Sequence, residues 1–555
     1  MITRISNIQV YNTSRRIFEK LDVYIKDEYF YHIGNDDIPY DVLVDGHDHY
    51  MIPGLIDSHM HIESSMTTPQ EYSNTVLPLG TTTILADAHE VANVFGVQGL
   101  LEYMNQEQTL DVYWAIPSSV PSTNSTLETT GGTIGDHDVV ELAKHPRVIA
   151  LGEIMNFKDV TSDEDTLTKR IIKSFRSALP LAPVEGHIPR VSGLELSKFI
   201  ELGIGSDHTH QSVDSLIEKT RAGILVQLQE KSLTPEIIQA IYDYELLHSI
   251  ALVTDDVLPN DLMDTGSLNH IIKKVVSMGM DIKDAIFAST YTPAQRLRLF
   301  DRGIIAPGKI ADAVILSSLD DFVIEEVYKK GRNINDIEKD TIVNFNESSY
   351  HSIQRNPVSI DDFIVKAEGD SVKVRVMERE SGATFTHEEF VDVAVKDGIV
   401  QWEEAGLSLI SVIERYGHNV PITWGFVKNG FTTKAAIASS WAHDHHNILV
   451  MGTDVQEIVA TVNRVIEMQG GIVWHGESVV EVPLPYGGVV SLEPMPQLAQ
   501  KIKTISEEMR TAGYESINSI MSFSILGLLV SPYLKISEHG YVDVRTQTFK
   551  SWNAS

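Results

Sequence analysis

The chain opens with short runs in which apolar and polar residues alternate (Ile5-Ile8-Val10, Leu21-Val23-Ile25, Tyr31-Ile33, Val42-Val44), separated by Asn, Asp and Gly. Alternation of period two bounded by turn residues predicts strands with one buried face, so residues 1–50 read as a small β unit. From Met51 to about Phe300 the texture changes. Eight apolar stretches, at 51–61, 81–88, 111–118, 147–154, 180–186, 203–207, 223–228 and 249–255, alternate with segments of helical period such as 163–178 and 233–247. In the latter, Thr234 is placed to cap and Pro235 to fill the first helical turn. Eight strand–helix pairs over roughly 250 residues predict a (β/α)8 barrel. Residues 301–316 (DRGIIAPGKIADAVIL) then form a glycine–proline turn leading into a strand like those at the amino terminus. The expected architecture is α/β: a TIM-like barrel (51–300) inserted between two halves (1–50 and 301–350) of a small β domain. An α+β region (351–555) follows, with strands around Val372-Val374-Val376 and Val391-Val393-Val395 and helices at 455–469 and 494–512.

Composition narrows the chemistry. The 555 residues, 43% hydrophobic and 22% charged, are ordinary globular material, and the length calls for more than one domain. There is no cysteine, which leaves only nitrogen and oxygen donors for any metal. A formal net charge of -33 repels phosphate backbones and anionic lipid, so nucleic-acid polymers and membranes are poor partners and a neutral small molecule is a better one. No run approaches the roughly 18 to 20 apolar residues of a spanning helix, and a cytoplasmic protein is expected.

In a (β/α)8 barrel the active site lies at the carboxyl ends of the strands. Strand one ends in His59 and His61, which as residues i and i+2 face the same way. Strand two runs into His89 and Glu90, strand four into Glu153, strand five into His187, strand six into Asp207 and His208, and strand eight into Asp255 and Asp256. Any one of these could be a capping or surface residue; together they converge on one mouth. Four histidines and two carboxylates can hold two divalent ions with Glu153 bridging, which makes a nucleophile from water near neutral pH. Asp255 beside it can accept the water's proton and return it to the leaving group. That assembly suits hydrolysis of a C–N bond at a planar carbon without naming the substrate.

The wording of these segments resembles the adenine deaminase family of the amidohydrolase superfamily. The resemblance rests on PGLIDSHMHIESS (53–65), GTTT (80–83), AHEVANVFG (88–96), GEIMNF (152–157), EGH (185–187), GSDH (205–208) and TDD (254–256). It continues through AHDHHNI (442–448) and PLPYGG (483–488), and so covers nearly the whole chain. It implies metal ligands His59, His61, Glu153, His187, His208 and Asp255, and two divalent ions, Mn2+ or Fe2+ ahead of Zn2+. It also implies a homodimer or larger assembly and a place in purine salvage. The implied reaction is attack of the activated water on C6 of adenine, collapse of the tetrahedral intermediate and loss of ammonia to give hypoxanthine. Glu90, oriented by His89, is the candidate donor to the ring nitrogen beside C6, though it could also cap the following helix. Asp256, His443 and Asp444 are candidates for substrate binding or a lid, and the string His443-Asp444-His445-His446 could instead bind another metal or form a solvated or hydrogen-bonded loop.

Five positions depart from the family's wording: Arg190, Thr209, Gln229, Val257 and Leu258. None removes a ligand, and all sit at strand ends where substrate is held. They keep open a related amidohydrolase acting on another aminated or cyclic-amide heterocycle. A third possibility, a non-catalytic scaffold, predicts lost ligands, and none is missing.

Overall fold

A computed structural model describes residues 1–341, 343–379, 386–531 and 533–554. Strand Ile2–Asn12 pairs antiparallel with Ile17–Lys26 and parallel with Val42–Asp45 and Tyr50–Pro53. Tyr50–Pro53 pairs in turn with Ala313–Ser318, Val314 standing opposite Ile52. One sheet thus draws strands from both sides of the barrel segment, and Ile5, Ile8, Val10, Val23, Met51, Ala313 and Ile315 share its core. The chain leaves this sheet for the barrel through Gly54, where a Cβ would lie 2.2 Å from the Thr82 hydroxyl.

The barrel strands run Leu55–Met60, Thr81–Asp87, Asp111–Ile116, Val148–Ile154 and Val184–Gly186, parallel and in sequence order. A second parallel set comprises Ser206–Asp207, Leu225–Leu228 and Ile250–Leu252. The two sets meet where Gly205 N donates to Val184 O (3.0 Å), and closure comes where Asp255 N donates to His59 O (3.2 Å). Leu55–Met60 and Thr81–Asp87 are buried at every position, as a parallel sheet covered by helices requires.

Three strands keep fewer than half of the residues in the apolar runs that predict them. Strand five begins only at Val184, after Pro180 and Pro183, which have no N–H to give a ladder. Strand six keeps only Ser206–Asp207. Strand eight stops at Leu252 because Thr254 N turns to the Asp57 carboxylate (3.2 Å). The helical segment 163–178 begins at Leu167, whereas Thr234 caps Pro235–Asp243 as its sequence suggests, its hydroxyl accepting from Ile237 N.

The last third builds a nine-stranded sheet, with Ser371–Arg379 and Thr386–Lys396 as a hairpin in which Val374 faces Val391, and helices Val455–Glu467 and Met495–Thr511. Between its buried strands Ala436–Ser439 and Ile448–Gly452, residues 440–447 cross to the barrel mouth. There Trp441 Nε1 donates to Glu63 O (3.2 Å), and fully buried Arg415 donates to Ser352 Oγ, Gly487 O and His446 O. One apolar core runs through both regions.

Candidate active site

At the mouth the strand ends bring six side chains together. Asp255 Oδ1 lies 3.5 Å from the Nε2 atoms of both His59 and His61. Glu153 turns Oε1 toward His61 Nε2 (3.6 Å) and Oε2 toward His187 Nδ1 (2.9 Å) and His208 Nε2 (3.1 Å). The His59 and His208 rings stack with centroids 3.7 Å apart. Sets of three of these residues, among them His59–His61–Glu153, His59–His208–Asp255 and Glu153–His187–His208, offer ligand atoms within 4.8 Å of one another. The donors fit a divalent cation. His59 Nε2 is buried and has no hydrogen-bond partner among the described residues, a costly state for a ring nitrogen unless something is to bind it. Five of the six are buried, and the His187 side chain is 33% exposed.

The surrounding groups hold these side chains in place. The His61 Nδ1 edge meets Asp87 O (2.8 Å), leaving Nε2 to face the cluster. Asp87 Oδ2 accepts from Glu153 N (3.1 Å), and Asp57 accepts from His59 N (3.3 Å) and the Thr254 hydroxyl (2.5 Å). Gln229 Nε2 donates to Asp255 Oδ2 (2.6 Å) and His208 O (3.0 Å). Asp255 stands at φ 61°, strained for a non-glycine residue and a feature that clusters at functional sites. Burial would raise the Glu153 and Asp255 carboxyls, but the histidines around them hold both well below the usual carboxylate range. His208, which burial would lower, is lifted to about 9 by Glu153.

A second cluster adjoins the first. Glu90, in the first turn of helix His89–Met104, places Oε1 2.6 Å from His443 Nδ1 and Oε2 against His446 Nε2. His89 lies between the clusters, Nε2 3.6 Å from Glu90 Oε1 and Nδ1 4.0 Å from Glu153 Oε1. The Glu90 carboxyl, despite its burial, is held well below its ordinary value by His443 and His446. Asp444 is buried, and burial together with the Glu90 charge pushes it up to about 6. Asp256 is half-buried, accepts from Ser64 Oγ (2.6 Å) and offers a ligand atom within 4.8 Å of His61 and Asp255.

All the candidate residues therefore reach the barrel mouth, with Glu90 separated from the six by His89. Of the departures, Thr209 is spent on Asp207 and Gln229 on Asp255, Leu258 is buried at the start of helix Pro259–Asp264, and Arg190 is exposed. Asp57, Asp87 and Trp441 are additions from the structure, and His446, seen in the sequence only as part of a polar string, gains a partner in Glu90. Asp57 and Asp87 each stand two residues before a histidine, a spacing that puts both side chains on one face and could have flagged them. The contact of His446 with Glu90 spans 356 positions and has no local signal.

A closed parallel barrel with a histidine–carboxylate cluster at its carboxyl ends defines a metal-dependent hydrolase of the amidohydrolase class. Residues 50–334 match the model of the amidohydrolase family, and residues 383–548 that of the adenine deaminase C-terminal domain. The chain is 45% identical over 552 residues to adenine deaminase 2 of Oenococcus oeni, covering 98% of this chain and 97% of that one. It is 43% identical over 556 residues to an adenine deaminase of Clostridium perfringens, with coverage of 98% and 97%. A solved β-aspartyl dipeptidase of Fervidobacterium islandicum AW-1 aligns with 62% of this chain and 100% of its own, at 21% identity and a TM-score of 0.45. The chain belongs to the adenine deaminase family of amidohydrolases. Among the described residues no helix is long and apolar enough to cross a membrane.

Proposed function

We propose that this protein hydrolyses adenine to hypoxanthine and ammonia, with His59, His61, Glu153, His187, His208 and Asp255 holding two divalent ions. The observation that carries the reading is Glu153, whose two oxygens face different histidines, His61 on one side and His187 with His208 on the other. Bound divalent ions supply a water of lowered pKa and polarise the bond under attack. Manganese or iron(II) suits this all-nitrogen-and-oxygen donor set, with zinc a third choice.

The chain's own residues then move the protons. Asp255, kept anionic and held through Oδ2 by Gln229, takes the proton of the attacking water and returns it to the departing amine. Glu90 is anionic between two histidines and cannot itself donate, whereas His89 beside it is raised well above the ordinary histidine value by Glu90 and Asp87 once the cost of burial is met. We assign the donor role at the ring nitrogen to His89 and the orienting role to Glu90, exchanging the parts expected from sequence. Because Thr209 and Gln229 serve the site's own frame, these two departures do not argue for a different heterocycle.

The test is ammonia and hypoxanthine formation from adenine by protein loaded anaerobically with manganese or iron(II), beside a His59→Ala control. Turnover that the substitution abolishes supports site and substrate together. No turnover with two ions bound would discard adenine and move the search to other heterocycles, and protein that takes up no stoichiometric metal would revive the scaffold.

A further inference from the structure

Behind the pair of strand ends that carry His187 and His208 lies an ion pair closed off from solvent. Lys219, on helix Val213–Arg221, has a side chain 1% exposed, and that of Asp207 is 0% exposed. Lys219 Nζ donates to Asp207 Oδ2 (2.6 Å) and to Ile188 O (2.8 Å). Asp207 also accepts from Ile188 N (2.9 Å), Thr209 N (3.2 Å), the Thr209 hydroxyl (3.0 Å) and Gln211 Nε2 (2.6 Å). Taking two charges out of water is costly, and such a pair often returns no net stability over an apolar replacement. Its contacts point to what it does instead.

Ile188 directly follows His187, and Asp207 directly precedes His208. Through one carboxylate and one ammonium, both peptide groups of Ile188 are tied to the residue before His208. The two imidazoles this brings together have Nδ1 and Nε2 3.0 Å apart and share Glu153 Oε2. They need such a tie, because strands five and six contribute only Val184–Gly186 and Ser206–Asp207, too short to fix the residues beyond them. The other half of the cluster is held by Asp57 for His59, Asp87 for His61 and Gln229 for Asp255, with Gln229 alone among these three also reaching His208, at the His208 carbonyl.

We propose that Lys219 and Asp207 form a clamp that positions His187 and His208 for the metal ion they share with Glu153, and so sets the occupancy of that half of the centre. The proposal rests on the two-ion reading above. Neither residue touches the reacting atoms in this role, and their effect is carried by the backbone on either side of the ligands.

The experiment measures manganese per chain across a range of buffered free Mn2+ for the full-length protein, for Lys219→Met, and for Asp207→Asn with Lys219→Met. The double variant leaves no unpaired charge in the interior and carries the test if the single one does not fold; cooperative melting establishes which variants are folded. The expected result is two ions in the wild type and about one in the folded variants at the same free Mn2+. The second ion should return only at roughly ten- to hundredfold higher concentration, the range seen when groups supporting a ligand are removed. A stabilising role alone would lower the melting temperature and leave both affinities unchanged; a folded variant that binds two ions as tightly as wild type overturns the clamp and leaves the deaminase reading intact. Wild type holding fewer than two ions at saturation would instead overturn the two-ion reading.

Discussion

The cluster around Glu153 and the cluster around Glu90 adjoin across His89, yet they are assembled by different means. Every member of the first comes from the barrel, at the end of a strand whose neighbours fix its height and direction. The second takes one residue from a barrel helix and two from residues 440–447, which the carboxy-terminal sheet lays across the mouth. Both bury carboxylates, and both hold them charged with histidines. What differs is the use. Glu153 stands among three histidines, Oε1 3.6 Å from His61 and Oε2 2.9 Å from His187 and 3.1 Å from His208, with Asp255 beside them, whereas Glu90 meets the two histidines His443 and His446. Each carboxylate with a pair of histidines offers ligand atoms within 4.8 Å of one another. On the proposed reading the first cluster holds the ions and the second fixes charge beside His89, which would make the roof part of the chemistry and not only a cover.

Substitutions on the two sides should separate these uses. The largest effect is expected at Asp255→Asn. The amide can neither take the water's proton nor stand as an anionic ligand, so kcat/KM for adenine should fall by about a thousandfold or more, with metal content reduced. Full metal content and activity within tenfold of wild type would remove Asp255 from the centre. Glu90→Gln should cost less, about a hundredfold in kcat, and, on the proposal that His443 and His446 are not ligands, should leave the metal content at the wild-type value. Loss of an ion in that variant would merge the two clusters into one and undo the comparison.

The same contrast explains what could be read from the sequence. Barrel ligands fall at strand ends, and a strand's period of two places His59 and His61 on one face, so local pattern and fold class together locate them. His443 and Asp444 are visible as a polar string, but nothing near them in the chain says that His446 meets Glu90 or that Trp441 reaches Glu63 O. Strand edges drift where side chains replace the ladder, as when Asp57 takes Thr254 N. Gln229 stands out in the sequence only as a departure, and its bond to Asp255 turns a suspected change of pocket into support for the site's frame.

One step behind the roof lies a carboxyl that the fold keeps protonated. Glu128 is buried, and its Oε1 accepts from Ser122 Oγ (3.0 Å), Thr123 N (2.7 Å) and the Thr123 hydroxyl. Burial, aided by the Asp444 charge and opposed by the bonds from Thr123, pushes its carboxyl up to about 7 from the ordinary glutamate value of 4.5. The folded protein therefore keeps a proton that the unfolded chain releases, and the stability this gives is full below the unfolded value and lost as pH rises through about 7. Glu128→Gln can keep the acceptor oxygen and removes the titration. From pH 6 to 8.5 the wild type should lose about 1 kcal/mol relative to the variant, seen as a melting-temperature difference that grows with pH in the variant's favour. Activity at pH 7 should stay within a few-fold of wild type, since the Glu128 carboxyl bonds Ser122 and Thr123 and no member of either cluster. Parallel melting curves would show that Glu128 is ionised in the fold, and a hundredfold loss of activity would extend the chemistry of the roof one layer further from the barrel.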